Sequence, residues 1–110
     1  MKDGIYHVRF SSNMQGMGEG IAVFHGSSVN GGDTGYTYSG RKESDGEHFR
    51  ATLTIKRWNA SLQSIFGALD QFQLQFHGQP DGVGFRAEGS IVGQPQAKIT
   101  VQGRFLVSVS

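Results

Sequence analysis

The chain has 110 residues, 17 glycines, two prolines, no cysteine and a formal net charge of +1. This length suits one domain with its own core, predicted to span residues 1–110, and the lack of cysteine excludes disulfides and thiolate sites. The near-neutral charge excludes the basic stripe typical of proteins that bind nucleic-acid backbones, and no apolar run is long enough for a membrane-spanning helix.

The glycine and aromatic content indicates short strands joined by tight turns. Glycine recurs without a Gly-X-Y period, which excludes collagen, and the aromatic content of 11% is too high for a disordered chain. We therefore assign the glycines mainly to turns between strands. The chain begins with a strand-like run and shows no signal peptide, which predicts a cytoplasmic protein.

The first half of the chain predicts strands and a hairpin. Residues 5–10 alternate apolar and polar side chains, and the apolar run at 21–24 lies between glycines, so both are predicted strands. The Asn-Gly-Gly-Asp sequence at 30–33 supplies residues that tolerate a tight reversal. Tyr36 and Tyr38 follow two residues apart and share one face of the next strand.

The second half continues the same pattern with one interruption. Asp45-Gly46 predicts a two-residue hairpin turn before the alternating strand at 48–56. Residues 60–67 are predicted to form one short helix, because apolar residues there recur at helical spacing. Alternation then returns in three further strands, at residues 71–77, 85–91 and 98–109.

These elements predict an all-β fold with seven or eight strands. Turn signals recur at the spacing of about 8–12 residues that is typical of sandwiches and barrels. Short connections favour antiparallel neighbours in chain order, and a long strand at each terminus favours closure, since pairing the first strand with the last removes exposed edges. We therefore prefer a closed or nearly closed antiparallel up-and-down barrel of about eight strands to a sandwich.

Aromatic and leucine side chains dominate the predicted inner face. They either fill the core, which is the default interpretation, or line an apolar cavity that takes an acyl chain or a similar small molecule. The candidate lining residues are Tyr6, Phe10, Phe49, Leu53, Phe72, Leu74, Phe76, Phe85 and Phe105.

Patterns for catalysis, metals and cofactors are weak. The glycines at 16–20 precede a strand, whereas a phosphate-binding loop precedes a helix and usually contains lysine. The four histidines show no short metal-ligand spacing, and no nucleophile-elbow motif is present. The basic and aromatic residues at 56–58 have the ingredients for base stacking, but the charge balance argues against nucleic acid. We predict no enzyme, no cofactor and no metal.

Several short motifs follow one another in a fixed order. They are Met1-Lys2-Asp3-Gly4-Ile5-Tyr6, Gly18-Glu19-Gly20, Gly31-Gly32-Asp33, Tyr38-Ser39-Gly40 and Arg57-Trp58-Asn59. In this order they resemble the GrlR-like family of negative regulators of type III secretion. The resemblance implies a lipocalin-like barrel with an apolar cavity, a homodimer, and regulation by holding a transcriptional activator rather than by contacting DNA.

The resemblance also implies an acidic partner contact in the loop after residue 42. In this chain the candidate contact residues are Glu43, Asp45 and Glu47, with Ser44 and Gly46 between them. The leading hypothesis is therefore a non-enzymatic module that sequesters a protein partner. The alternative is a small carrier or sensor of an apolar ligand held inside the barrel.

Overall fold

Period-two alternation produces eight antiparallel strands that close into a barrel in chain order. The computed structural model describes residues 1–14, 16–67 and 69–110. The strands are β1 (Gly4–Ser12), β2 (Met17–His25), β3 (Ser28–Gly32), β4 (Tyr36–Asp45), β5 (His48–Arg57), β6 (Gln71–Asp81), β7 (Gly84–Ile91) and β8 (Gln94–Val107). The predicted up-and-down barrel is confirmed, and the sandwich is not formed.

Pairing of β1 with β8 closes the barrel. The register runs from Ile5 opposite Val107 to Ser12 opposite Ile99, with a shift between Ile5 and Tyr6. A shift of this kind bends a strand and increases its local twist, which helps a sheet to curve on itself. Within the described residues, closure leaves no long unpaired edge on which another chain could add a strand.

Inward phenylalanines lie over glycines of the neighbouring strand. Phe49 is directly opposite Gly78, and Phe85 is opposite Gly103. A Cβ atom on Gly103 would lie 2.0 Å from a carbon of the Phe85 ring, so the ring occupies the space that a side chain would need. The assignment of glycine mainly to turns is wrong, because many glycines lie within strands: Gly4, Gly18, Gly20, Gly31, Gly32, Gly40, Gly78, Gly84, Gly89 and Gly103.

The β3–β4 turn lies later than predicted. The Asn-Gly-Gly sequence at 30–32 belongs to β3, and the chain reverses between Asp33 and Gly35. The Asp33 carboxylate accepts hydrogen bonds from the backbone N–H groups of Gly35 and Tyr36, both at 2.8 Å. This side chain therefore holds the turn, as aspartate commonly does. The predicted two-residue hairpin turn after β4 is confirmed one position later than predicted: Asp45 pairs with His48, and Gly46, at φ 66°, and Glu47 form the turn.

The predicted helix at residues 60–67 is wrong. The segment forms turns, and Ser64 pairs with Gly67 through two backbone hydrogen bonds of 3.0 Å. The Ser64 hydroxyl also accepts a hydrogen bond from the Phe66 N–H, which competes with helical bonding. Gly67 adopts φ 104°, which lies outside the helical region. The segment is also short, so few helical hydrogen bonds would offset the free-energy cost of nucleating a helix.

The two ends of the barrel differ. At one end, called here the closed end, lie the chain termini and the turns that join β2 to β3, β4 to β5 and β6 to β7. At the other, called the mouth, lie the remaining four connections. The longest of these joins β5 to β6 and is called the mouth loop (residues 58–70).

Candidate functional site

An apolar cavity of about 380 Å³ lies inside the barrel and extends to the mouth. Its floor contains Phe24, Phe49 and Phe85, whose rings meet edge to face with centroids 5.4–6.1 Å apart. This arrangement is favourable for aromatic rings. A barrel of eight strands is wide enough to hold one small ligand when its side chains do not fill it.

The candidate lining residues divide into two groups. Those that border the cavity are Phe10, Phe49, Leu53, Phe72, Leu74, Phe76 and Phe85. Tyr6 and Phe105 lie beneath the floor instead, with ring centroids 5.5 Å apart, and the Tyr6 hydroxyl donates to the Lys2 carbonyl at 2.6 Å. The inward aromatics therefore fill the closed end and surround open space nearer the mouth.

Sequence reasoning did not include several other residues that border the cavity. Phe24 and Ala22 belong to the continuous apolar run of β2, where periodicity could not assign a face. Tyr36 and Tyr38 were placed on one face, but nothing in their spacing identified it as the inner one. The mouth-loop residue Phe66 was assigned to a helix, although its apolar side chain was a sound signal of burial.

Hydrogen bonds tie the mouth loop to the β3–β4 turn. The Trp58 N–H donates to the Gly35 carbonyl at 2.9 Å, and its indole Nε1 donates to the Asp33 carbonyl at 3.1 Å. The Asn59 amide donates to the Thr34 carbonyl, also at 3.1 Å. These bonds hold two connections that border the cavity against each other at the mouth.

An ion pair and a tyrosine hold the end of the mouth loop to the barrel. Arg57 pairs with Asp70, and it also donates a hydrogen bond to the Leu62 carbonyl at 3.3 Å. The Tyr36 hydroxyl donates to the Leu69 carbonyl at 2.5 Å. The loop is therefore anchored on both sides of the segment whose apolar side chains cover the mouth.

The main polar contact beside the cavity joins Tyr38 to Asp33. The Tyr38 hydroxyl donates to Asp33 Oδ2 at 2.5 Å, and both residues border the cavity. Burial, and then the hydrogen bond to Asp33 and its charge, raise the pKa of the Tyr38 hydroxyl well above its ordinary value. Tyr38 therefore stays protonated at neutral pH and keeps its hydrogen directed at the carboxylate.

The candidate partner-contact residues lie at the closed end, which is the opposite end of the barrel from the mouth. Glu43, Asp45 and Glu47 are exposed at the β4–β5 hairpin. In the strand register Glu43 faces Arg50 and Asp45 faces His48. Within the described residues, none of the three carboxylates forms an ion pair.

In residues 1–14, 16–67 and 69–110, no group of three or more His, Asp or Glu side chains could hold a metal ion.

In the described chain, no helix has the length and apolarity needed to cross a membrane.

Comparison with known families supports the resemblance seen in the order of the short motifs. The family described as "T3SS negative regulator, GrlR" matches residues 1–109, which is nearly the whole chain. No curated protein matches the chain significantly. The chain therefore belongs to the GrlR family of negative regulators of type III secretion.

Proposed function

We propose that this negative regulator acts by binding and sequestering a protein partner, a transcriptional activator, rather than by contacting DNA. The observation that carries the proposal is the set of three exposed carboxylates at the β4–β5 hairpin, Glu43, Asp45 and Glu47, which lack ion-pair partners within the described residues. Unpaired surface carboxylates are available to a basic partner and steer its association. The proposal requires a cytoplasmic protein, since an activator works where the DNA is.

The charge of the molecule supports a protein partner over DNA. A net charge of +1 offers little attraction to a phosphate backbone, because affinity for DNA depends on neutralising many phosphates with lysine and arginine. A basic surface on an activator has the sign complementary to the three carboxylates.

Charge reversal at the hairpin tests this function. A variant with Glu43→Lys, Asp45→Lys and Glu47→Lys should lose repression of a type III secretion reporter in the bacterium that encodes the protein. The control is Glu88→Lys, which changes an exposed carboxylate on β7 and should leave repression intact. If the triple variant represses as well as the wild type, the hairpin is not the contact.

A second candidate function follows from the cavity. Its volume of about 380 Å³ and its phenylalanine-rich lining suit an apolar small molecule, so the protein would be a carrier or sensor of such a ligand. An interior that served packing alone would be expected to close tightly, since protein cores contain few voids larger than a water molecule.

Adjacent residues on β5 provide a matched test of the carrier function. Ala51 borders the cavity and Thr52 faces outward, so Ala51→Phe should block the interior whereas Thr52→Phe should not. We expect the wild type and Thr52→Phe to take up Nile red, a neutral apolar dye, and Ala51→Phe to take up much less. Absence of uptake by the wild type would argue against a ligand-binding interior.

A further inference from the structure

Among the described residues, the charged side chains that line the cavity are all acidic. Carboxylates are present on Asp33 and Glu19, and no lysine, arginine or histidine borders the space. Asp33 is half-buried beside the mouth, whereas the Glu19 side chain is largely exposed and lies 3.8 Å from His7 on the outer surface. Asp33 is therefore the charge that a ligand head group would meet.

The hydrogen bonds around Asp33 leave acceptors rather than donors facing a ligand. Its carboxylate accepts three hydrogen bonds, from the Gly35 and Tyr36 N–H groups and from the Tyr38 hydroxyl. A carboxylate has about four lone-pair sites, so capacity for one further donor remains. The Tyr38 hydrogen is already engaged, and its oxygen can still accept.

Neighbouring side chains do not supply a cation. Arg57 is the basic residue at the base of the mouth loop, but its guanidinium is engaged by Asp70 and by the Leu62 carbonyl. Thr34 and Gln63 border the cavity and are neutral, so they can bond to either kind of head group. A carboxylate at this position would lose water and face a like charge without a countercharge.

We propose that the cavity takes an alkyl chain whose head group donates hydrogen bonds, such as an alcohol, amide or amine, and discriminates against the free carboxylate of a fatty acid. This inference rests on the proposed ligand-binding function and adds the chemical class of the ligand. The cavity, at about 380 Å³, lies at the small end of ligand pockets, which run from about 300 to 1,000 Å³. A ten-carbon chain is therefore a suitable probe.

The test compares decanol, decanamide, decylamine and decanoate, each displacing Nile red from the wild-type protein at about pH 8, where a carboxylic acid is ionised. Decanoate should bind at least about tenfold more weakly than decanol, the ratio that corresponds to one pKa unit against its charged form. Decanoate binding as tightly as decanol would overturn the inference while leaving the carrier function standing. Failure of all four probes to bind would overturn both.

Two variants test whether Asp33 causes the weaker binding of decanoate. Asp33→Asn keeps an acceptor for the turn and removes the like charge, so the ratio of decanol to decanoate affinity should fall toward the value set by desolvation of the carboxylate alone. Tyr38→Phe removes the hydroxyl and keeps the charge, so the ratio should remain. An unchanged ratio in folded Asp33→Asn would overturn the role of Asp33. The wild-type comparison stands without either variant, should one of them not fold.

Discussion

At the scale of single residues, direct pairing of phenylalanine with glycine shapes the interior. A phenyl ring needs more room than one strand position provides, and a glycine on the next strand supplies it. Gly78 and Gly103 show the effect most closely, since a Cβ atom on either would lie 2.0–2.2 Å from the opposing ring. Part of the glycine content of this chain thus makes room for its aromatic rings.

Replacing Gly103 by alanine should destabilise the protein. The new methyl group would overlap the Phe85 ring, and overpacking of this kind typically costs about 1–3 kcal/mol. Urea unfolding measures the change. The control is Gln102→Ala on the outer face of the same strand, where we expect a change of less than about 0.5 kcal/mol. Equal stability of the two variants would mean that the ring moves aside without cost.

Tyr38 should make the folded state sensitive to alkaline pH. Its pKa is raised from 10.0 by burial and then by Asp33, so the folded state keeps a proton that the unfolded state releases. The resulting stability is complete below about pH 10 and is lost as the pH rises above that value. The free energy of unfolding between about pH 8 and pH 11 should therefore fall more steeply for the wild type than for Tyr38→Phe. Parallel curves would contradict this assignment.

At the scale of elements, the mouth loop has apolar residues at helical spacing but forms turns that cover the mouth of the barrel. Its apolar residues recur three and four apart, yet the Ser64–Gly67 turn directs Phe66 into the mouth. Phe66 is only 8% exposed and packs edge to face on Phe72, with ring centroids 5.8 Å apart. Contacts with the barrel therefore override the local helical spacing.

Phe66→Ala should test whether this cover stabilises the barrel. We expect a cost of about 3 kcal/mol in urea unfolding, at the low end of phenylalanine truncations, because the side chain borders an existing cavity. Leu62→Ala in the same loop is the control and should cost clearly less, since Leu62 is 38% exposed. A loss of stability no greater than that of Leu62→Ala would show that the loop lies on the barrel without supporting it.

At the scale of the whole molecule, closure makes each strand depend on two neighbours. The β1–β8 seam is hydrogen-bonded along the length of β1, like the pairings between consecutive strands. Opening the seam would expose the aromatic side chains beneath it, including Tyr6 and Phe105. The seam is therefore expected to open only when the barrel unfolds as a unit.

Amide hydrogen exchange tests this cooperativity. The N–H groups that join β1 to β8 should exchange as slowly as those that join β4 to β5, at the rate set by global unfolding. The Gly46 N–H in the β4–β5 turn serves as an internal reference for fast exchange, because it is exposed and donates no hydrogen bond within the described residues. Faster exchange along the seam than along β4–β5 would indicate local opening there. The homodimer implied by the family resemblance stays a prediction.

Much of the fold was predictable from local patterns. Alternation identified the strands and the inward position of residues such as Phe49 and Phe76, because the period of two is a property of the extended backbone itself. The β4–β5 turn was predictable to within one residue for a similar reason, since its backbone conformation depends on the residues in the turn. The family was also visible in the order of its short motifs.

The tertiary structure alone decided the features that depend on neighbours distant in the chain. Which glycine lies opposite which phenylalanine could not be predicted before the strand register was known. The conformation of the mouth loop likewise depends on its contacts with the barrel. A cavity is present because the inward side chains do not fill the space that an eight-stranded barrel encloses. The placement of Asp33 at the mouth also depends on the tertiary structure, because the hydrogen bonds that hold its turn against the mouth loop join residues 25 positions apart.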